Sequence, residues 1–221
     1  MKKEDVARLI VAVGIVPVVR AASAELAMRA ARAVCAGGIP IIELTMTVPG
    51  AVEAIRELKK TMGAGVLIGA GTVLDAESAA ECLDAGAEFL VSPGFDRETV
   101  EFAKSKGTLI MAGALTPTEV ITAWKAGSGF VKIFPCGNVG GASYIRALKA
   151  ALPQVPMVPT GGVNASTAAD FLRAGAAALG IGGELVSAAA LKSGDFGAIE
   201  KAARNYVAIV QAARCAAQEA G

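Results

Sequence analysis

The chain contains no histidine and only four cysteines, the two residue types on which most zinc sites depend. The cysteines, at Cys35, Cys82, Cys136 and Cys215, lie far apart and form no C-x-x-C pair. These shortages leave a zinc ion almost without ligands. Scattered cysteines without a pairing pattern are typical of a reduced cytosolic protein, so we expect a cytoplasmic location.

An excess of charge of either sign is also absent. Lys and Arg total 21 against 20 Asp and Glu, and the formal net charge is +1. No basic stripe stands out, which argues against nucleic acid as a partner, although a neutral protein can still hold a small anion locally. No stretch reaches the roughly 20 apolar residues of a membrane span, so we expect no membrane partner.

The N-terminal apolar run Leu9–Val19 imitates a signal peptide because Lys2 and Lys3 precede it. Acidic Asp5 lies where a basic leader belongs, however, and Pro17 interrupts the run. We interpret this segment as a helix followed by a first strand.

Apolar side chains and glycine are abundant: 54% of the 221 residues are hydrophobic and 26 are Gly. This composition is typical of one α/β domain, to which we assign residues 1–221. Eight apolar runs recur along the chain, and an Ala-rich amphipathic segment follows each one, as in βα units. The runs are Val16–Arg20, Ile39–Thr47, Val66–Thr72, Glu88–Pro93, Thr108–Leu115, Gly129–Pro135, Pro156–Gly162 and Ala176–Gly183.

The segments between these runs carry signals for helix starts and helix ends. Candidate N-caps are Asp75, Asp96, Asn164 and Thr116, and C-terminal glycines are Gly37, Gly86, Gly127 and Gly175. Near-continuous hydrophobicity of the runs indicates strands that are buried on both faces of a parallel sheet. We therefore predict a (β/α)8 TIM barrel with an extra N-terminal helix. An open doubly wound sheet is the alternative, but its Gly-rich dinucleotide turn is missing after the first strand.

One lysine interrupts an apolar strand. By the two-residue period, Lys132 shares a strand face with Phe130 and Phe134, opposite Val131 and Ile133. If the other face packs under the helices, Lys132 points into the barrel, where desolvation favours the neutral amine that attacks carbonyl groups. The alternatives are a lysine that reaches solvent at the strand edge and a purely structural ion pair.

An acid occupies a similar position on the second strand. Glu43, Thr45 and Thr47 share one face of this strand. A carboxylate inside a barrel is rare unless it is paired or functional. Close to Lys132, Glu43 would move the protons that imine chemistry requires; the alternative is a plain Glu43–Lys132 ion pair.

Glycines and hydroxyl residues end several other strands. Gly69-Ala70-Gly71-Thr72 and Pro159-Thr160-Gly161-Gly162 allow a ligand to approach the backbone, and their hydroxyls can bind a carboxylate or keto oxygen. The turns after the last two strands lie where barrels often bind phosphate. Tight turns without a ligand are the alternative.

In order along the chain, these motifs resemble the bacterial 2-keto-3-deoxy-6-phosphogluconate (KDPG) aldolase family, also called 4-hydroxy-2-oxoglutarate aldolase. The motifs are Glu43-Leu44-Thr45, Gly69-Ala70-Gly71-Thr72, Val91-Ser92-Pro93-Gly94, Val131-Lys132-Ile133-Phe134-Pro135 and Pro159-Thr160-Gly161-Gly162-Val163. The resemblance covers essentially the whole chain. It implies a homotrimeric barrel, a class I mechanism without metal or other cofactor, and small 2-keto acids and aldehydes as partners.

The resemblance also assigns roles to individual residues. It makes Lys132 the Schiff-base lysine and Glu43 the general acid/base. Substrate-binding residues would be Arg20, Thr45, Thr47, Thr72, Pro93, Phe134 and Thr160, and phosphate-binding residues Gly161, Gly162, Gly182 and Gly183.

Two positions depart from the family pattern. Many members carry Arg where this chain has Thr47. With Thr at this position, Arg20 would bind the anion instead. Many carry Ser where this chain has Gly183. In this chain Glu184 follows Gly183 directly, and an acid beside a phosphate is unfavourable.

Three other functions are compatible with the sequence. These are the phosphogalactonate branch of the same family, a sugar-phosphate isomerase or epimerase, and a non-catalytic barrel scaffold.

Overall fold

The computed structural model describes residues 1–219, and each of the eight predicted apolar runs overlaps one strand. The strands are β1 (Ile15–Val19), β2 (Ile41–Thr45), β3 (Leu67–Gly71), β4 (Phe89–Val91), β5 (Leu109–Ala114), β6 (Phe130–Ile133), β7 (Met157–Pro159) and β8 (Leu179–Ile181). They are parallel and lie in the order β7-β6-β5-β4-β3-β2-β1-β8. A bridge between Thr160 and Gly180 joins the two ends of the sheet. The predicted (β/α)8 barrel is therefore confirmed.

Ten helices surround these strands in the described part of the chain. They are α1 (Lys3–Val13), α2 (Ala24–Ala36), α3 (Ala51–Thr61), α4 (Ala76–Asp84), α5 (Arg97–Ser105), α6 (Pro117–Ala126), α7 (Ala142–Ala151), α8 (Ala168–Arg173), α9 (Ala188–Ser193) and α10 (Phe196–Glu219). A 3-10 turn over Cys136–Val139 separates β6 from α7. None of these helices combines the length and the apolar character that crossing a bilayer would require.

The extra helix of the predicted fold needs a correction. A helix, α1, does precede β1, but the addition that joins the helical ring is α10, at the other end of the chain. It contacts α2 and α8, and its buried residues are Ile199, Ala203, Tyr206, Val210 and Ala213. The packing of α10 joins segments that are far apart in the sequence, and the local pattern does not reveal it.

Most predicted helix starts are present. Asp75 and Asp96 accept hydrogen bonds from the Ser78 and Thr99 amides, at 2.7 and 2.8 Å. Thr116 and Glu119 form a capping box at the start of α6. Asn164 is a correction: its side chain closes a turn by accepting from the Ser166 and Thr167 amides, so that α8 begins only at Ala168.

Glycines that face inward on the strands leave room for the loops at the carboxyl end of the barrel. A methyl group on Gly113 of β5 would lie 2.2 Å from the carbonyl carbon and oxygen of Pro93 and 2.4 Å from the Gly94 amide nitrogen. These are backbone atoms, and Ser92 holds the same loop by donating to the Gly94 carbonyl at 2.6 Å. Neither β5 nor the Pro93 loop can therefore shift by itself to make room for a methyl group.

Gly113→Ala is therefore expected to destabilise the barrel by about 3 kcal/mol through overpacking. For a chain of this size, that loss lowers Tm by roughly 6–12 °C. Gly94→Ala is the matched control, because its added methyl group meets no atom within 4 Å. Thermal unfolding of both variants provides the measurement, and equal Tm values would show that the Pro93 loop yields freely.

Candidate active site

Lys132 and Glu43 meet inside the barrel. Their strands, β6 and β2, are not neighbours in the sheet, so the two side chains approach each other across the interior. The Lys132 Nζ lies 3.8 Å from the Glu43 Oε1, with side-chain exposures of 4% and 2%. The predicted inward orientation of both residues is confirmed. Two ionisable groups are thus held together where water has little access.

The surroundings of Lys132 are mostly apolar. Its neighbours across the β5 and β7 pairings are Gly113 and Val158. The Nζ lies 5.3 Å from the centre of the Phe134 ring, close enough for a cation–π contact when the amine is charged. This setting holds the amine in one place and shields it from bulk solvent.

The Glu43 carboxyl has a raised pKa, because burial penalises its charged form; the positive charges of Lys132 and Arg20 partly oppose this effect. Within the described residues, Oε1 of Glu43 has no hydrogen-bond partner. Gly71 on β3 leaves the space for this carboxyl, since a methyl group there would lie 2.1 Å from Oε1. Glu43 is therefore a poorly solvated acid that readily holds a proton.

The raised pKa of Glu43 predicts a pH dependence of stability. Folding favours its protonated form, so its contribution is fully present below the ordinary pKa of about 4.5 and is lost as pH rises through the higher folded value. The free energy of unfolding of the wild type should therefore fall relative to that of Glu43→Gln over this rise. Urea unfolding across the pH range measures the difference, with exposed Glu98→Gln as control. Parallel curves for wild type and Glu43→Gln would contradict the assignment.

Thr45 and Thr47 lie beside Glu43 on the same strand face and the turn after it. The buried Thr45 hydroxyl donates to the Val19 carbonyl at 3.2 Å, and its oxygen lies 2.7 Å from that of the exposed Thr47. Thr45 therefore ties β2 to β1. Substrate binding by either residue stays a prediction.

Thr72 and Pro93 follow β3 and β4 at the same end of the barrel. Thr72 has a φ of 59°, a left-handed conformation that is uncommon for a residue with a Cβ atom. Ser92, beside Pro93, was not predicted as a site residue. Its hydroxyl accepts from the Gly113 amide at 3.3 Å and fixes the Pro93 loop. A hydroxyl at the end of a buried strand is the signal that could have identified it.

A cavity of about 250 Å³ opens at the carboxyl ends of β1, β6, β7 and β8. It brings together seven predicted site residues: Arg20, Phe134, Thr160, Gly161, Gly162, Gly182 and Gly183. Four lining residues were not predicted: Val18, Val163, Gly180 and Glu184. Phe134 connects this cavity to the lysine, because it both lines the cavity and contacts Lys132.

The walls of the cavity are built closely around glycine. A methyl group on Gly180 would lie 2.1 Å from the Thr160 Oγ1, so only glycine on β8 leaves room for this hydroxyl. Gly137 and Gly162 approach so closely that a methyl group on either would come within 2.8 Å of the other. These contacts position Thr160 and the turn after β7, and the sequence pattern did not reveal them.

A family model described as KDPG and KHG aldolase matches residues 6–202, most of the chain that forms this barrel. The chain belongs to this aldolase family. The 2-dehydro-3-deoxy-phosphogluconate aldolase of Treponema pallidum is 36% identical over 199 residues, which are 90% of this chain and 94% of the relative. The KHG/KDPG aldolase of Escherichia coli K12 is 36% identical over 195 residues, 87% of this chain and 90% of the relative.

A solved structure of this aldolase family is similar over nearly its whole length. The KDPG aldolase of Legionella pneumophila, with pyruvate captured as a covalent carbinolamine intermediate, superposes with a TM-score of 0.83 at 30% identity. The match covers 90% of this chain and 96% of that chain. The family resemblance drawn from the ordered motifs is thus confirmed.

Proposed function

We propose that this aldolase-family protein reversibly cleaves 2-keto-4-hydroxy acids to pyruvate and an aldehyde through a Schiff base on Lys132. The observation that carries the proposal is the buried Lys132–Glu43 pair, with 3.8 Å between Nζ and Oε1. Such a pair contributes little to stability, because desolvation offsets its attraction. A non-catalytic scaffold or a sugar-phosphate isomerase has no need for a lone lysine inside the barrel.

The first half of the reaction forms the covalent bond. The neutral amine of Lys132 adds its electron pair to C2 of the keto acid, and loss of water gives an iminium ion. Glu43 takes the proton of the C4 hydroxyl, directly or through a water molecule, as the C3–C4 bond breaks. The electrons of that bond move to the iminium nitrogen, and the aldehyde leaves.

The second half releases pyruvate. The remaining enamine is protonated at C3, and Glu43 is the group that holds the proton taken from C4. Water then hydrolyses the iminium ion to pyruvate and free Lys132. The raised pKa of Glu43 suits this task, since the same group must accept a proton and return it.

The cavity beside Phe134 and Thr160 is the proposed binding site for the rest of the substrate. Thr160 offers a hydroxyl at its inner wall, and Arg20 supplies a positive charge that also acts on Glu43. Arg20 therefore suits the carboxylate of the keto acid. Thr45, Thr47, Thr72 and Pro93 complete the proposed pocket, and Gly161, Gly162, Gly182 and Gly183 surround its outer end.

The test is release of pyruvate from two substrates of the family. KDPG would give pyruvate and glyceraldehyde 3-phosphate, and 4-hydroxy-2-oxoglutarate would give pyruvate and glyoxylate. Cleavage of at least one at an ordinary enzymatic kcat, about 1 s⁻¹ or more, is expected. The 6-phosphogalactonate analogue distinguishes the galactonate branch. Failure to release pyruvate from any of the three would refute the proposal.

We also propose a cytoplasmic homotrimer. The resemblance to the family supports the trimer, and the four free cysteines fit a reducing compartment. Light scattering in solution should give three times the chain mass.

A further inference from the structure

The outer end of the cavity contains a carboxylate that the proposed reaction does not use. Glu184 follows β8 in a tight turn, in which the Gly182 carbonyl accepts from the Leu185 and Val186 amides, both at 2.9 Å. Gly183 and Glu184 therefore stand at the tip of the turn. Glu184 lines the same cavity as Gly161 and Gly162.

This outer end offers hydrogen-bond donors as well as an acceptor. In residues 1–219, the amides of Gly161, Gly162, Gly183 and Glu184 donate to no backbone or side-chain acceptor. Within the same range, no Lys or Arg lies within 4.0 Å of the Glu184 carboxylate. The cavity thus combines unused N–H groups with an acid that no ion pair neutralises.

Glu184 is exposed to solvent, and its charge still acts on a side chain of the neighbouring helix. Tyr206 of α10 is buried, and the pKa of its hydroxyl is raised first by this burial and then by the negative charge of Glu184. Arg20 is the only cation among the described residues that line the cavity, and its charge also acts on Glu43. This one Arg therefore has to serve both the keto-acid carboxylate proposed for it and the Glu184 carboxylate, so that the described lining has no further cation for a phosphate.

A phosphate and a hydroxyl respond differently to this arrangement. A phosphate dianion can accept from the amides, but it cannot donate to Glu184 and is repelled by its charge. A hydroxyl can accept from an amide and at the same time donate to the carboxylate. We propose that Glu184 makes this site selective for an aldehyde that ends in a hydroxyl, such as glyceraldehyde, over its phosphate ester.

This inference rests on the proposed aldolase function and names its substrate class. The preferred sugar-acid substrate is then unphosphorylated 2-keto-3-deoxygluconate rather than KDPG. Glu184 acts on the tail of the substrate and takes no part in bond cleavage.

The experiment compares kcat/KM for 2-keto-3-deoxygluconate with that for KDPG. The wild type should prefer the unphosphorylated substrate. Glu184→Gln keeps the shape and removes the charge, and it should lower this preference at least about 10-fold, or about 1.4 kcal/mol. Most of the change should appear in KM for KDPG. Glu98→Gln, an exposed acid on α5, is the matched control and should leave the ratio unchanged.

The outcomes separate the two proposals. If 4-hydroxy-2-oxoglutarate is cleaved but Glu184→Gln leaves the ratio unchanged, or if the wild type prefers KDPG, the selectivity proposal is wrong and the aldolase function stands. If no keto acid is cleaved and pyruvate forms no adduct, both proposals fail. The ratio is taken within each variant, so partial unfolding of Glu184→Gln cancels.

Discussion

Replacing Lys132 by methionine is expected to lower kcat for pyruvate release by on the order of 10⁴-fold or more, as loss of a catalytic nucleophile does. Methionine is unbranched and of similar length, so it fills the space beside Phe134 without the amine. Removing one partner of a buried pair costs stability, but burial already raises the pKa of Glu43, so this carboxyl can take up a proton when Lys132 is gone and the fold should survive.

The control for this variant is Lys125→Met on the exposed side of α6, which should retain wild-type turnover. Thermal unfolding of Lys132→Met should show a cooperative transition above the assay temperature, which establishes that the variant is folded. A folded Lys132→Met enzyme that cleaves substrate at the wild-type rate would exclude Lys132 as the nucleophile.

Glu43→Gln is expected to lower kcat by about 10²- to 10⁴-fold, the usual contribution of a general acid/base. Glutamine keeps the volume inside the barrel next to Gly71, but it cannot accept and return a proton. Lys132 remains, so the variant should still form a covalent adduct with pyruvate. This separation of adduct formation from turnover distinguishes a proton-transfer role from a purely structural ion pair.

Exchange of the pyruvate methyl protons in deuterated water provides the matching measurement. It requires enamine formation and protonation at C3 but no aldehyde. We expect this exchange to be slowed in Glu43→Gln by a factor similar to the loss in kcat. If Glu43→Gln exchanges the pyruvate protons at the wild-type rate but cleaves substrate slowly, Glu43 transfers a proton only at the C4 hydroxyl.

The barrel and its two central residues could be predicted because both depend on local patterns. Eight apolar runs gave the eight strands, and a period of two gave the inward faces of Lys132 and Glu43. Strand ends were predicted less well: β1 is shifted by one residue from its apolar run, and the other seven strands are shorter than their runs. The start of α8 was placed too early because the side chain of Asn164 caps a turn instead of the helix.

Features that depend on contacts between distant segments were not predicted. Gly71, Gly113 and Gly180 are required by atoms on neighbouring strands or loops, and the sequence alone does not provide the strand register. The same applies to the packing of α10 against α2 and α8, because these helices lie far apart in the sequence. Glu184 was noticed as an acid next to a glycine turn, but its place in the cavity needed the structure.

Trapping with pyruvate and borohydride tests the central claim most directly. Reduction of the imine would fix one pyruvate-derived group on the chain, and intact-mass measurement followed by peptide mapping locates it. We predict one adduct per chain, on Lys132, in the wild type and in Glu43→Gln and none in Lys132→Met. No adduct on the wild type, or an adduct on any other lysine, would contradict the account.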